Sequence, residues 1–161
     1  MPSMTKDEFV TKFGWVFENS PWVAERAASA LPFPSPEAMH AAMVDVVCQA
    51  TPAEQLALIQ AHPDLGTRAK MSDASIGEQA GSGLNQLTPE EFRTLHRLNS
   101  EYKSKFGFPF IYAVRGASKH DILRALEARL DNSQVMEHTT AFEQIARIAW
   151  FRLTDMFKES S

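Results

Sequence analysis

Four Ser-Pro or Thr-Pro pairs limit how this chain can fold more than any other feature of its sequence. In each pair the hydroxyl can cap the first amides of a helix, and the proline has the φ angle of a first helical residue. The pairs are Ser20-Pro21, Ser35-Pro36, Thr51-Pro52 and Thr88-Pro89. A Glu also stands three residues after Thr5, Thr51, Ser75 and Thr88, which is the spacing of a capping box. The sequence therefore predicts a series of helices with well-defined starts.

From these starts and the apolar periodicity we predict eight helices, at residues 5–18, 20–30, 36–50, 52–61, 76–84, 89–105, 119–131 and 135–158. Only 106–114 is typical of a strand, and Pro109 within it removes a hydrogen-bond donor from any ladder. A lone extended segment has no partner strand. We therefore expect an all-α fold, a compact helical bundle of about eight helices in which residues 1–161 form a single domain.

Composition and charge exclude several classes of protein. The chain has 161 residues, of which 44% are hydrophobic and 22% charged, as in ordinary globular domains. A net charge of −4 is the wrong sign for a nucleic-acid partner, and the single Cys48 excludes an internal disulfide. No apolar run approaches the roughly 18 residues of a membrane span, and acidic residues near the N-terminus are unlike a signal peptide. We therefore expect a cytoplasmic protein with no membrane partner.

His62 is the first candidate for chemistry because of the residue that follows it. Pro63 disfavours helical geometry at the preceding residue, so the helix before it should end near His62. The imidazole would then lie at the negative end of a helix dipole, where its protonated form is favoured. Such a group suits proton transfer near neutral pH. The alternative is a histidine that only caps the last carbonyls of its helix.

A second candidate segment runs from Ser75 to Gly83. Glu78 could orient an imidazole or accept a substrate N–H, with Gln79 supplying an amide. Two glycines, Gly81 and Gly83, lower helix propensity and allow close approach of the backbone. The alternative reading of Ser75 with Glu78 is an ordinary capping box.

The stretch from Phe106 to Gly116 is the least generic part of the sequence. A segment so apolar between two helices must be buried, yet its backbone groups have no ladder partner and need other donors and acceptors. A polar ligand could supply them. Arg115 would bring a permanent charge to the edge of an apolar pocket and could grip a planar anion. The alternative is a buried connector with Arg115 in a surface ion pair.

Read together, these stretches resemble the signature segments of the OHCU decarboxylase family, which acts on 2-oxo-4-hydroxy-4-carboxy-5-ureidoimidazoline (OHCU). The matching segments are Ala61-His62-Pro63-Asp64-Leu65, Ser75-x-x-Glu78-Gln79-Ala80-Gly81 and Phe106-Gly107-Phe108-Pro109-Phe110, with further similarity at Phe17-Glu18-Asn19-Ser20-Pro21-Trp22. The resemblance covers nearly the whole chain in order. It implies the family's all-α fold, a homodimer, no cofactor, and decarboxylation of OHCU to (S)-allantoin at the last step of urate degradation.

The same resemblance implies roles for individual residues. His62 matches the family's catalytic histidine and Glu78 its catalytic glutamate. The positions that contact or line the substrate pocket match Pro63, Ser75, Gln79 and Arg115, with the backbone around Phe108 and Ile111 receiving the ring and ureido groups. The chain departs from the family pattern beside these positions, at Gly66-Thr67-Arg68 and at Ile76.

Two functions from other classes compete with this interpretation. One is a metal-dependent hydrolase in which His62, Asp64 and Glu78 bind the metal, for which the residue types are suitable although the spacing needs a tight loop. The other is a non-enzymatic helical interaction module whose apolar loop docks a partner. Loss of activity on chelation would favour the first, and function that survives His62→Ala would favour the second.

Overall fold

The computed structural model of this chain describes residues 4–65, 78, 83–84 and 86–159. Within these ranges the regular structure is entirely helical and no strand occurs, which confirms the predicted all-α class. In chain order the described helices are α1 (Lys6–Phe13), α2 (Trp22–Ala27) with a following 3₁₀ turn (Ala28–Ala30), α3 (Pro36–Gln49), α4 (Pro52–Gln60), α5 (Pro89–Phe106), α6 (Lys119–Arg129) and α7 (Gln134–Glu159).

Most helix starts follow from local sequence. Thr5, Thr51 and Thr88 each form the predicted capping box, and Ser118 with Asp121 forms another that we did not predict. Ser35 caps α3 through a bond from the Ala38 amide. The boxes at Thr5, Thr51 and Thr88 and the cap at Ser35 could be predicted because all atoms of such a motif lie within one turn of chain.

Ser20 is the exception among the predicted caps. Pro21 is the N-cap of α2, and no side chain caps that helix. The Ser20 hydroxyl donates instead to the Glu18 carbonyl at 2.9 Å. The prediction that Ser20 caps α2 is therefore wrong, because the preceding loop takes up its hydroxyl.

The first helix is also shorter than predicted. It ends at Phe13, where the Gly14 amide still donates to the Val10 carbonyl at 2.8 Å, and the chain then leaves helical geometry before residue 18. A Cβ at Gly14 would lie 2.5 Å from the Val10 carbonyl oxygen, so this tight exit requires glycine. Val16 and Phe17 in the loop that follows are nonetheless buried.

The chain forms two compact units. One comprises residues 1–61 and 146–161, and the other is His62–Ile145, so that α7 contributes its first part to the second unit and its last part to the first. The interpretation of residues 1–161 as one domain stays a prediction. None of the described helices is long and apolar enough to cross a membrane.

Each unit has its own apolar core. In the first, Phe9 packs against Phe13 and Phe33 with ring centroids 5.2 and 5.7 Å apart, while Met39, Met43 and Val47 form the buried face of α3. In the second, α5 and α6 bury one side each, and the residues between them are buried at 108–111, 113 and 114. These core residues are Leu95, Leu98, Tyr102, Phe106, Phe108, Phe110, Ile111, Ile122 and Leu126.

Candidate active site

His62 lies directly after the end of α4. The helix stops at Gln60 with Ala61 as its C-cap, whose amide still donates to the Ala57 carbonyl at 2.9 Å. The prediction that Pro63 ends this helix near His62 is confirmed. All five histidines fall in the described ranges, and His62, with 8% of its surface exposed, is the one that is buried. An imidazole in this position is shielded from bulk water at the carboxyl end of a helix.

The loop that carries His62 is attached to α5 by two side chains. The Asn99 Nδ2 donates to the Leu65 carbonyl at 3.0 Å, and Lys103 Nζ lies 3.3 Å from Asp64 Oδ2. Lys103 is half exposed, so its ion pair contributes little. Asn99 is 6% exposed, and its bond to Leu65 is therefore the stronger constraint on the loop.

Asn99 has a second polar atom with no visible use. Its Oδ1 is buried and finds no hydrogen-bond partner among the residues that the structure describes. A buried acceptor without a donor costs stability. This cost suggests that Asn99 serves to position the His62 loop and not only to stabilise the fold.

The segment between α5 and α6, which we call the connector (107–118), is irregular, and its middle part at 108–114 is largely buried. It begins at Gly107, whose φ of 79° ends α5 in the left-handed conformation that glycine adopts most readily. The predicted burial is confirmed for Phe108, Phe110 and Ile111. The stretch that resembled a strand has no regular structure.

Side chains from two helices satisfy backbone groups of the connector and its flank. The Ile111 carbonyl accepts from Arg129 Nη1 at 2.7 Å, and the Ala113 amide donates to Gln144 Oε1 at 2.8 Å. Gln134 Nε2 donates to the Phe106 carbonyl at 2.9 Å. The expectation that these groups need partners outside a ladder is confirmed, but for these three the suggested ligand is unnecessary because the protein supplies the partner.

Arg129 belongs to a buried polar network in the same unit. Its Nε donates to Glu137 Oε1 at 2.7 Å, and the Tyr102 hydroxyl donates to the same oxygen at 2.6 Å. Asn132 Nδ2 donates to Glu137 Oε2 at 2.8 Å. Burial raises the pKa of the Tyr102 phenol above its usual range, so the hydroxyl stays a proton donor at neutral pH. Glu137, which is fully buried, thus has three donors.

The other predicted site residues have different surroundings. Pro63 is half-buried beside His62, and Glu78 is helical and half-buried. Arg115 is exposed in the turn that ends the connector, next to Gly116 with a φ of 80°. Ser75 and Gln79 lie outside the described residues, as does most of the helix predicted at 76–84.

One helix brings the two best-described parts of the site together. Asn99 and Tyr102 lie three positions apart on α5, so their side chains emerge from adjacent turns on one face. Asn99 holds the loop that carries His62. Tyr102 packs on Phe108 and Phe110 of the connector at centroid distances of 6.0 and 5.5 Å. The face of α5 therefore fixes both segments within the same unit.

The sequence reasoning missed Asn99, Arg129 and Glu137, although two of them leave a signal. Asn99 is a polar residue inside the apolar stripe of α5, between Leu98 and Tyr102. Glu137 begins the row of buried positions along α7 that recurs every four residues, at 137, 141, 145, 149 and 153. A charged or amide side chain within a buried stripe predicts a partner from another segment.

The described residues do not favour a metal site. Among the parts of the chain with described side chains, no three His, Cys, Asp or Glu residues are arranged to hold a metal ion. Asp64, one of the three ligands of the hydrolase alternative, faces Lys103 instead.

Comparisons with known proteins identify relatives along almost the whole chain. The family model described as OHCU decarboxylase matches residues 2–154. The 2-oxo-4-hydroxy-4-carboxy-5-ureidoimidazoline decarboxylase of Haloferax volcanii is 44% identical over 151 residues, which cover 94% of this chain and 90% of that protein. The uric acid degradation bifunctional protein of Bacillus sp. (strain TB-90) is 48% identical over 97% of this chain, which spans only 31% of that longer protein.

Two solved structures have the same fold. The crystal structure of (S)-allantoin synthase superposes with a TM-score of 0.78 and 31% identity, covering 94% of this chain and 50% of that one. The crystal structure of OHCU decarboxylase in the presence of (S)-allantoin gives a TM-score of 0.75, covering 89% of this chain and 95% of that one. At 24% identity, this likeness concerns the fold alone.

Proposed function

The chain belongs to the OHCU decarboxylase family, and from this premise we propose that it converts OHCU to (S)-allantoin as a cofactor-independent carboxy-lyase, at the last step of urate degradation. The observation that carries the proposal is the buried His62 at the end of α4, on a loop held by Asn99. We propose that residues 1–161 act as one domain of this family. The substrate is a small molecule, with no nucleic-acid or membrane partner.

The reaction breaks the bond between the ring carbon and the carboxylate, releases CO₂ and leaves an electron pair on carbon. The conjugated ring of OHCU accepts this pair, so the chemistry needs no cofactor as electron sink. The carbon that lost CO₂ keeps its hydroxyl, which gives up its proton as this carbon becomes a carbonyl, while a proton must reach the adjacent ring carbon, which bears the ureido group, from one face. What the protein supplies is orientation, proton transfer and exclusion of water.

His62 is proposed to exchange the proton with the substrate hydroxyl. Its burial supports this role, because a shielded imidazole exchanges its proton with the bound substrate rather than with bulk water. Glu78 is proposed to orient the imidazole or the substrate. Pro63, Ser75 and Gln79 are proposed to contact the substrate, together with the backbone near Phe108 and Ile111. The buried, irregular connector supports this last assignment, since backbone groups outside regular structure can face a ligand.

Arg115 is proposed to bind charge that persists through the reaction rather than the carboxylate that departs. A tight ion pair with the leaving carboxylate would stabilise the ground state more than a transition state that is losing this charge. Its exposed position at the end of the connector is consistent with a residue at the edge of the site. Arg115→Lys should lower turnover because the planar fork is lost, and unchanged kinetics would exclude the residue from the site.

The main test uses OHCU freshly generated by oxidation of urate, with optical rotation followed in time. The protein should yield optically active allantoin faster than OHCU decays spontaneously to the racemate. His62→Ala should abolish this gain while the helical circular dichroism and the melting temperature stay near those of the unaltered protein. Racemic product at the spontaneous rate from the unaltered protein would overturn the proposal, as would full activity of His62→Ala.

We propose that the protein acts in the cytoplasm as a homodimer, as the family resemblance implies. Light scattering during gel filtration measures the oligomeric state directly, and a monomer at enzymatic concentrations would contradict the dimer. The metal-dependent alternative predicts loss of activity after chelation. Activity that survives chelation would exclude that alternative.

A further inference from the structure

We propose that Arg129 is a positioning residue that sets the orientation of the connector's backbone toward the substrate. This inference rests on the proposed function and adds a residue to it that does not itself touch the reacting atoms. It starts from the bond between Arg129 Nη1 and the Ile111 carbonyl, which is 2.7 Å long and buried. Ile111 lies in the segment proposed to receive the substrate.

The guanidinium of Arg129 has almost no freedom to move. Its Nε is bound to Glu137 and its Nη1 to Ile111, both at 2.7 Å, whereas the contact of Nη2 with the Tyr102 hydroxyl is long, at 3.4 Å, and restrains the group little. The plane also lies over the Phe110 ring, with 4.4 Å between Cζ and the ring centroid. A planar group held along its edges and against one face transmits a fixed direction to the carbonyl it binds.

This direction determines where the next amide points. Because a trans peptide unit is planar, the Tyr112 N–H points away from the Ile111 carbonyl and therefore away from Arg129. In the next peptide unit the Ala113 N–H is bound to Gln144 at 2.8 Å, which turns the Tyr112 carbonyl away from Gln144. Two side chains thus set the direction of both main-chain groups of Tyr112.

Stability alone does not account for this arrangement. A buried ion pair is often no more stabilising than apolar residues of similar volume. An apolar replacement could fill the space of Arg129 and Glu137, but it could not donate to the Ile111 carbonyl. A donor holds this carbonyl in one direction only if the donor is itself held, as Glu137 holds Arg129. We therefore assign the Arg129–Glu137 pair a positioning role.

Arg129→Lys is the direct test, because lysine keeps the charge but lacks the planar fork that reaches Glu137 and Ile111 together. We expect kcat/KM on fresh OHCU to fall by roughly 10- to 100-fold, the effect of misplacing a binding group by about 1 Å. The enantiomeric excess of the allantoin should fall as well, since a loosened connector no longer presents a single face of the substrate for protonation. A merely structural role would not change the enantiomer ratio of the folded fraction.

Tyr102→Phe is the matched control. It removes one hydroxyl from the same network, retains the ring that packs on Phe108 and Phe110, and leaves the bond from Arg129 to Ile111 in place. This variant should lose stability but keep the kcat/KM and enantiomeric excess of the unaltered protein per folded molecule. If Arg129→Lys does not fold, Glu137→Gln tests the same idea, since it removes the charged anchor of the guanidinium, and its enantiomeric excess should fall.

The outcomes separate this inference from the proposed function. An unaltered protein that fails to accelerate formation of (S)-allantoin overturns the proposed function and the inference with it. An active unaltered protein whose folded Arg129→Lys variant matches its kcat/KM and enantiomeric excess overturns the inference alone, as would unchanged enantiomeric excess in Glu137→Gln when that variant is the one tested. A loss of enantiomeric excess in Tyr102→Phe as large as in Arg129→Lys overturns it too, because the bond to Ile111 would then not be the cause.

Discussion

Each compact unit contains a buried arginine paired with a buried glutamate, and in each the arginine also binds carbonyls of a segment without regular structure. In the first unit Arg152 Nη2 lies 2.9 Å from Glu18 Oε2, and its Nη1 donates to the Trp15 and Val16 carbonyls at 3.3 and 3.2 Å. In the second unit Arg129 binds Glu137 and the Ile111 carbonyl. A buried arginine thus donates to backbone carbonyls both in the loop after α1 and in the connector.

The two pairs differ in how far apart their partners lie along the chain. Arg129 and Glu137 are eight residues apart, on either side of the turn between α6 and α7. Arg152 and Glu18 are 134 residues apart, so their pair closes a much longer loop of chain than the Arg129–Glu137 pair does. A buried pair alone therefore does not identify a functional segment. The connector stands out because its arginine also directs a backbone proposed to face the substrate.

Breaking the long-range pair should have the largest effect on stability. Arg152→Met removes the guanidinium that lies 2.9 Å from the buried Glu18 carboxylate and the donor of two carbonyls, so the free energy of unfolding should fall by about 3–5 kcal/mol. Urea unfolding measures this loss. The double variant Glu18→Met with Arg152→Met removes both charges and should be more stable than Arg152→Met alone. A single variant within about 1 kcal/mol of the unaltered protein would show that the pair is not what holds this loop.

Asn99 holds the loop that carries His62 through a hydrogen bond from an uncharged side chain, in contrast to the two arginines. Asn99→Leu keeps most of the volume but leaves the Leu65 carbonyl without its donor, a loss of about 1–3 kcal/mol. Removal of Oδ1, which has no partner among the described residues, offsets part of this loss, and the free energy of unfolding should still fall. Turnover of OHCU by the folded variant should fall as well, because the His62 loop is held less firmly. Urea unfolding and initial rates measure the two effects. Unchanged turnover would show that the loop does not depend on Asn99.

Acid should weaken two ion pairs at helix starts, each with a half-buried glutamate. The Arg26 guanidinium lowers the pKa of Glu54 to about 2, and the Lys119 ammonium does the same for Glu91, in both cases with help from the capping threonine. Carboxylates with lowered folded-state pKa values stabilise the protein above their unfolded values near 4.5, and this contribution disappears as the pH falls toward 2. We expect the urea midpoint to decline over this interval.

Glu54→Gln and Glu91→Gln provide the control for the acid effect. Each retains a side-chain oxygen for the capping box but loses the charge, so each should have a lower urea midpoint than the unaltered protein near neutral pH. The difference should shrink in acid, where the native carboxylates become protonated. If the difference in urea midpoint between variant and unaltered protein stays constant with pH, the lost stability comes from packing rather than from charge.

The smallest effect should come from Lys103→Met. Lys103 binds the same loop as Asn99, but through a half-exposed ion pair with Asp64. Exposed pairs of this kind are worth about 0–1 kcal/mol, and raising the salt concentration should remove even that. Urea midpoints in low and high salt measure it. If Lys103→Met lowers the free energy of unfolding as much as Asn99→Leu does, the ion pair stabilises this loop as strongly as the buried hydrogen bond.

The parts of the fold that could be predicted are those encoded within a few neighbouring residues. Thr51 and Thr88 start their helices as expected because the whole capping box lies within one turn. Pro63 ends α4 before His62 because a proline acts on the residue that precedes it. The burial of Phe108, Phe110 and Ile111 followed from their apolar character between two helices.

Local sequence patterns did not predict the structure where distant residues determine it. The loop after α1 departs from the predicted helix in a region where Arg152, far away along the chain, binds the Trp15 and Val16 carbonyls. Ser20 donates its hydroxyl to the Glu18 carbonyl instead of capping α2. The connector was expected to need a ligand for its backbone, whereas Arg129 and Gln144 satisfy two of its groups.

By itself, then, the sequence determined where most helices begin, where α4 stops and which connector is apolar, because caps, prolines and hydrophobic runs act over one or two turns of chain. The tertiary structure alone decided which side chains hold the His62 loop and the connector. Asn99, Arg129 and Glu137 gain their roles only when helix faces meet, since a buried polar group is stable only next to partners whose position no local pattern specifies.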